Sequence, residues 1–117
     1  MENQQNLSPK ARIWQVVGMI PQGQVCSYGK VADLAGLPGR ARYVSRALKE
    51  APQQLTLPWH RVVNSQGKVS LPKDSEPYRE QMSRLRTEGV VVNQGKIDLS
   101  KYGWQPDLMT LLMALPF

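Results

Sequence analysis

The sequence predicts a mainly α fold with small β-hairpins, arranged as a winged helix-turn-helix. Three observations carry this reading. Apolar residues recur at i, i+3, i+4, i+7 behind Ser8-Pro9. A short helix, a Leu37-Pro38-Gly39 turn and a second helix with opposed apolar and cationic stripes follow. Short apolar runs broken by Asn- and Gly-containing turns come after Pro58.

Ser8 offers an oxygen to the free amides of a helix start, and Pro9, with no amide hydrogen, suits the first helical position. Ile13, Val16, Val17 and Ile20 then share one face, and Pro21-Gln22-Gly23 stops the helix. Val25 and Cys26 form a short apolar lead, after which Ser27 caps a short second helix that buries Val31, Leu34 and Ala35 and ends at Gly36. In the third helix Val44, Ala47, Leu48 and Ala51 make an apolar stripe; Arg42, Ser45, Arg46 and Lys49 make the opposite one. A basic outer face on the second helix of such a pair is the pattern of a recognition helix.

A loop from Gln53 to Pro58 leads to Trp59-His60-Arg61-Val62-Val63, and Lys68-Val69 returns across the Asn64-Ser65-Gln66-Gly67 turn, which predicts a hairpin, or wing. A fourth helix is expected from about Glu76 to Glu88, with Tyr78, Met82 and Leu85 inward and Gly89 at its end. Val90-Val91-Val92 and Ile97, around Asn93-Gln94-Gly95-Lys96, suggest another small strand pair. Residues 1–7 are expected to be a disordered lead and 8–104 the domain. Residues 105–117 form an apolar tail carrying Leu108, Met109, Leu111, Leu112, Met113, Leu115 and Phe117. That tail is too short to span a bilayer and too apolar for free solution, so it is expected to fold back or meet a partner.

A chain of 117 residues is one domain's worth, and 41% hydrophobic with 21% charged residues is ordinary globular composition. No apolar run approaches the ~18 residues of a spanning helix. The polar start, Met1-Glu2-Asn3-Gln4-Gln5-Asn6, lacks the basic and apolar regions of a secretory signal, so a cytoplasmic, nucleoid-associated protein without membrane contact is expected. One cysteine, Cys26, forms no internal disulfide, and with His60 as the single histidine no closed zinc site is available; neither metal nor cofactor is expected. Fifteen Lys and Arg against nine acids give a net charge of +6 and favour a polyanionic partner.

The rarest cluster is Pro58-Trp59-His60-Arg61-Val62. Together with Ser27-Tyr28-Gly29 before the first motif helix, Ala41-Arg42 in the second and Glu88-Gly89 closing the region, it makes Gln24 to Gly89 resemble the DNA-binding domain of O6-alkylguanine-DNA alkyltransferases. The resemblance covers over half of the chain, in order. It implies the C-terminal domain fold of those enzymes; the N-terminal domain that many full transferases carry is expected to be absent. In the enzymes the residue between proline and histidine is the cysteine that accepts the alkyl group. Here it is Trp59, whose indole has no ionisable thiol and donates only through its nitrogen. The combination is similar to the alkyltransferase-like proteins, which keep the damage pocket, replace the nucleophile and flag lesions for other repair systems.

The resemblance implies a role for each matching residue. Arg42 matches the arginine that enters the base stack where a nucleotide has been flipped out. A planar cation there offsets the few kcal/mol of lost stacking and pairing, and lysine would do it worse. Tyr28 matches the tyrosine that presses on the flipped nucleotide's phosphate, beside helix-start amides that favour an anion. Ala41 and Ser45 match small residues that admit the helix to the minor groove; Tyr43, bulkier than the pattern, is expected along the groove wall, with Arg46 and Lys49 on the same cationic face. Trp59 is expected to stack on the flipped base, worth roughly 1–3 kcal/mol, in a pocket shared with Tyr28, His60, Val62 and Glu88. His60 and Glu88 match the pair that activates the thiol through a water; with no thiol their expected role is structural. Ala51 stands at the family's hinge asparagine, and Leu71-Pro72-Lys73 replaces a tyrosine and glycines in the active-site loop.

The expected partners are double-stranded DNA containing O6-alkylguanine and nucleotide excision repair proteins, engaged by a monomer. Two alternatives stand beside this reading: a methyltransferase working through Cys26, and a winged-helix transcriptional regulator that binds sequence without flipping.

Overall fold

The computed structural model describes residues 7–115. Most of the expected disordered lead, residues 1–6, lies outside the described residues, as does Phe117 of the tail.

Helix α1 spans Pro9–Gly18, with Pro9 in its first turn, and the Ser8 side chain accepts the Ala11 amide at 3.1 Å. Its inward residues Ile13, Val16 and Val17 are buried, with Ile20 just beyond them. Strand β1, Cys26–Ser27, runs directly into α2, Tyr28–Leu34, because Ser27 both ends the strand and caps the helix by accepting the Lys30 amide at 3.1 Å. A turn through Gly36 and Gly39 leads to α3, Ala41–Lys49, whose Val44 and Ala47 pack into the same core as α1 and α2. Trp14 of α1 fastens this three-helix unit by donating its indole N–H to the Ala47 carbonyl at 2.8 Å.

Two short 3-10 turns, Gln53–Leu55 and Trp59–Arg61, carry the chain to strand β2, Val62–Val63. Here the structure differs from the expected wing. β2 pairs in parallel with β1, Cys26 opposite Val62 and Ser27 opposite Val63, instead of forming a hairpin with Lys68-Val69. The Asn64–Gly67 turn does close, with the Asn64 amide on the Lys68 carbonyl at 3.0 Å, but the returning chain pairs with the Asn93–Ile97 turn, through Val69 N–H to Gly95 O and Ile97 N–H to Gly67 O, each 2.8 Å. The physical reason is burial. Val62 and Val63 are both essentially inaccessible, so the strand is covered on both faces, as parallel pairing requires, and no solvent-facing alternation remains to support a hairpin wing.

Helix α4, Glu76–Thr87, is capped by the Ser75 hydroxyl on the Tyr78 amide and stops at Glu88, where Gly89 takes φ +90°. Its inner stripe is Tyr78, Gln81 and Leu85, with Met82 partly covered. A second core forms around it from Val25, Val63, Val69, Val90, Val92 and Ile97. Helix α5, Leu99–Tyr102, is a single turn that sequence periodicity cannot signal. In the tail, Leu108–Ala114 forms α6, capped by Asp107. It folds back through Leu111, which joins the first core, while Leu108, Met109, Leu112 and Met113 face outward. Among the described residues no helix is long and apolar enough to cross a membrane.

Candidate nucleic-acid interface and base cavity

Helix α3 presents Arg42, Arg46 and Lys49 as an exposed cationic line, since residues four and three apart on a helix share a face. Ala41, Tyr43 and Ser45 are partly covered beside it, and the Arg40 guanidinium lies 4.9 Å from the centre of the Tyr43 ring. No acid occurs within α3, and Glu50, just beyond its end, pairs with Lys10, so the line of Arg42, Arg46 and Lys49 is attractive to phosphate.

Behind that line is a cavity of ≈ 320 Å³, at the lower end of ordinary ligand pockets. Ser45, Leu48 and Lys49 of α3 form one wall, Tyr28 another, Leu71 and Pro77 a third, and Trp59 and Gln81 complete it. The structure thus brings Tyr28, Ser45, Lys49 and Trp59 to one cavity and leaves Arg42 and Arg46 outside on the same helix. The Tyr28 hydroxyl accepts a hydrogen bond from the Ser70 hydroxyl at 3.3 Å, which orients the ring.

His60, Val62 and Glu88 do not line that cavity; His60 meets the Trp59 ring edge-on and pairs with Glu88, while Val62 packs in the first core. His60 is buried, and its Nε2 lies 2.7 Å from Oε2 of Glu88. The Glu88 carboxylate also accepts from Arg61, Nη2 to Oε2 at 2.7 Å and Nε to Oε1 at 3.0 Å, and from the Gly23 amide at 3.1 Å. Gly23 has φ +86°, the left-handed turn that presents its N–H to the carboxylate. Arg61 Nη1 donates to the Ile20 carbonyl at 2.8 Å. Gln81, nearly fully buried, donates to the carbonyls of His60 and Val62 at 3.1 and 3.0 Å, so the backbone on either side of Arg61 is pinned to α4.

Charge follows this geometry. Burial pushes the Glu88 carboxyl up, but the hydrogen bonds from Arg61, His60 and Gly23 outweigh it and hold the group down at about 2. Burial lowers the His60 value more than Glu88 raises it. The imidazole is therefore neutral at pH 7, donating from Nε2 to the carboxylate and leaving a bare acceptor at Nδ1. That atom is buried without a hydrogen-bond partner among the described residues. Cys26 lies in β1, 2% exposed, and burial pushes its thiol up to about 11, against the smaller opposing effect of Lys30. It does not line the cavity that holds Trp59.

Residues 8–90 match the family described as the DNA-binding domain of 6-O-methylguanine DNA methyltransferase. The chain belongs to that family. Among relatives within it, a DNA base-flipping protein of Vibrio parahaemolyticus is 47% identical over 96 residues, covering 81% of this chain and 94% of the relative. The alkyltransferase-like protein 1 of Schizosaccharomyces pombe is 37% identical over 100 residues, covering 81% and 93%. In three dimensions the chain superposes on S. pombe Atl1, solved in complex with damaged DNA containing O6-carboxymethylguanine, with a TM-score of 0.76 and 36% identity over 84% of this chain and 95% of that one. The O6-methylguanine methyltransferase of Mycobacterium tuberculosis superposes with a TM-score of 0.58 and 28% identity, over 90% of this chain and 55% of the enzyme.

Within the alkyltransferase fold the sequence pattern missed Arg61, Gln81 and Arg84. Arg61 stood inside the Pro-x-His-Arg-Val run, and its pairing with Glu88 needed only the recognition that an arginine there has a buried carboxylate to meet. Gln81 had a signal in its spacing, three after Tyr78 and four before Leu85 on the inward stripe. Arg84 carries no signal in the sequence pattern; its guanidinium lies 5.8 Å from the centre of the Trp59 ring.

Proposed function

We propose that this protein is a non-enzymatic sensor of alkylated DNA. It binds duplex DNA from the minor groove through α3, flips O6-alkylguanine into the cavity beside Trp59, and marks the site for nucleotide excision repair. Residues 8–104 act as the DNA-binding unit, within the cytoplasmic nucleoid, and the tail covers one side of it through Leu111.

The observation that supports this reading most is the convergence of an aromatic platform, Trp59, with Tyr28 and the cationic α3 face around one cavity. Arg42, exposed at the first turn of α3, fills the stack that the base vacates, and Arg46 and Lys49 neutralise phosphates along the strand. Tyr28, held by Ser70, bears on the sugar-phosphate of the extruded nucleotide. The base stacks against Trp59. No bond to the alkyl group forms, because an indole offers no thiolate for in-line displacement, and the nearby His60–Glu88 pair serves to hold the 3-10 turn rigid. A ligand that is bound and not consumed stays in place, which is what a mark requires.

A transferase working through Cys26 finds no support in the geometry. The thiol is buried, protonated at neutral pH and away from the base cavity. Intact-protein mass after incubation with O6-methylguanine duplex is expected to stay unchanged; a gain of one methyl group would establish an enzyme instead.

The test of the sensor is a titration, at one near-physiological salt concentration, of a duplex carrying a single O6-methylguanine against the same duplex carrying guanine. A preference of about tenfold or more, about 1.4 kcal/mol, is expected. Equal affinity would reduce the protein to a general DNA-binding module.

A further inference from the structure

Residues 67–70 run beside residues 93–97, and two backbone hydrogen bonds join them, Val69 N–H to Gly95 O and Ile97 N–H to Gly67 O, each 2.8 Å. Between these bonds Lys68 and Lys96 face each other as an antiparallel bridge. The pattern makes the two lysines a non-hydrogen-bonded pair, the cross-strand position at which side chains come closest. Alternation fixes their direction. Val69 and Ile97 are buried in the second core, so Lys68, Lys96 and Ser70 share the outer face, and all three are exposed.

Like charges directly opposite each other destabilise a strand pair, and no acid among the described residues pairs with either lysine. The ion pairs there engage Lys10, His60, Arg61 and Arg84. Asp98, the acid nearest Lys96 in sequence, is held by the Ser100 amide and hydroxyl, and the lysine whose charge acts on it is Lys101. Two ammonium groups kept side by side without a counterion suit an anion supplied from outside. Their place names that anion. Ser70, next but one to Lys68 on the same face, donates to the Tyr28 hydroxyl at 3.3 Å, and Tyr28 and Leu71 line the base cavity together with Ser45 and Lys49 of α3. Lys68 thus stands about 7 Å along the strand from the cavity rim, a distance of two base-pair steps of about 3.4 Å.

We propose that Lys68 and Lys96 form a phosphate clamp, separate from α3, that grips the backbone of duplex DNA within a few steps of the flipped nucleotide. The inference rests on the sensor reading above. Phosphate contacts set register and carry no base information. The clamp is therefore expected to strengthen binding to damaged and undamaged duplex alike, while the preference for the lesion stays with the cavity.

The test uses the full chain, Lys68→Gln, Lys96→Gln and the double variant on duplexes carrying O6-methylguanine or guanine, at one salt concentration and then across a salt titration. Thermal unfolding of the variants is expected to match or exceed that of the unaltered protein, because a repulsion between exposed side chains has been removed. A slope of about 0.9 per contact makes one phosphate contact worth about fivefold in affinity near 0.15 M salt. Each single variant is expected to lose about that factor on both duplexes, and the double variant to shallow the salt slope by about two. A general loss of positive charge would give part of this effect, so a second series replaces one phosphate at a time, over a few steps on either side of the lesion, by a neutral methylphosphonate. At one or two positions on one side the replacement is expected to cost the unaltered protein about fivefold and the double variant less than twofold. If no position behaves so, or if the double variant binds as tightly as the unaltered protein, there is no clamp. Equal affinity of the unaltered protein for the two duplexes would overturn the sensor reading alone, since the affinity and slope changes of the variants read the clamp separately.

Discussion

Arg61 grips both oxygens of Glu88, with Nη2 2.7 Å from Oε2 and Nε 3.0 Å from Oε1. The pair joins the 3-10 turn that carries Trp59 to the end of α4. Through Gly23 and the Ile20 carbonyl it also holds the turn that leaves α1. One carboxylate therefore registers three segments that are far apart in sequence.

Replacing it tests the junction. Glu88→Gln removes the charge and keeps the shape, leaving the largely buried Arg61 and its neighbours without their counterion, so unfolding in urea is expected to show a loss of about 3 kcal/mol. A loss within about 0.5 kcal/mol, the scale of an ordinary surface change, would mean the junction is held by packing alone.

Acid should act through the same residues. Glu88 and His60 both have lowered values in the folded protein, so each binds fewer protons folded than unfolded and stability falls as pH falls. The His60 contribution is complete above its ordinary value of 6.5 and is lost below it; that of Glu88 is complete above 4.5 and is lost toward about 2. Urea midpoints measured from pH 8 down to pH 2.5 are expected to be flat at the top and then to decline in these two windows, and Glu88→Gln is expected to flatten the lower one. A midpoint that rose on acidification from pH 6 to pH 3 would contradict both assignments.

How much of this was legible beforehand follows from the range of each interaction. Ser8-Pro9, Ser27 and the opposed stripes of α3 are local signals, and each element stands where its own residues put it. The parallel pairing of Cys26–Ser27 with Val62–Val63 is not local. Each strand is two residues long, too short for any periodicity, and its partner is chosen by tertiary packing. The cationic α3 face and the weight on Trp59 could be read from residue type and order. That His60 and Glu88 pair behind the turn that carries Trp59, and that Gln81 holds two carbonyls, depends on burial. Spacing puts Gln81 on the inward stripe of α4, but its residue type reads as solvent-facing until the carbonyls it meets are known. The single turn of α5 is below what helical spacing can express.

Arg42→Ala addresses DNA binding. If Arg42 fills the vacated stack, the variant is expected to lose about tenfold or more in affinity for the O6-methylguanine duplex, about 1.4 kcal/mol, and much less for undamaged duplex. An equal loss on both duplexes, accompanied by a shallower salt dependence, would make Arg42 a phosphate contact only.

Trp59→Ala should cost lesion affinity by the stacking contribution, roughly 1–3 kcal/mol, with Trp59→Phe in between. Because the side chain is partly exposed, thermal unfolding of Trp59→Phe should stay close to that of the parent. Unchanged lesion affinity in Trp59→Ala would remove the platform from the mechanism.

The tail makes its own prediction. Leu111 is 4% exposed and Leu112 70%, so Leu111→Ala is expected to cost about 2–3 kcal/mol and Leu112→Ala to stay within about 0.5 kcal/mol. Chemical denaturation of the two variants side by side distinguishes a tail that covers the core from one that merely rests on it.

The bonds that fix the 3-10 turn come from backbone groups and from neighbours: the Trp59 amide on the Leu57 carbonyl, the Arg61 amide on the Pro58 carbonyl, and Gln81 on the two carbonyls beyond. The indole contributes none of them. Position 59 is thus an interchangeable fitting on a socket built by other residues. A substitution at position 59 therefore alters what the cavity touches without removing any of the bonds that shape the turn.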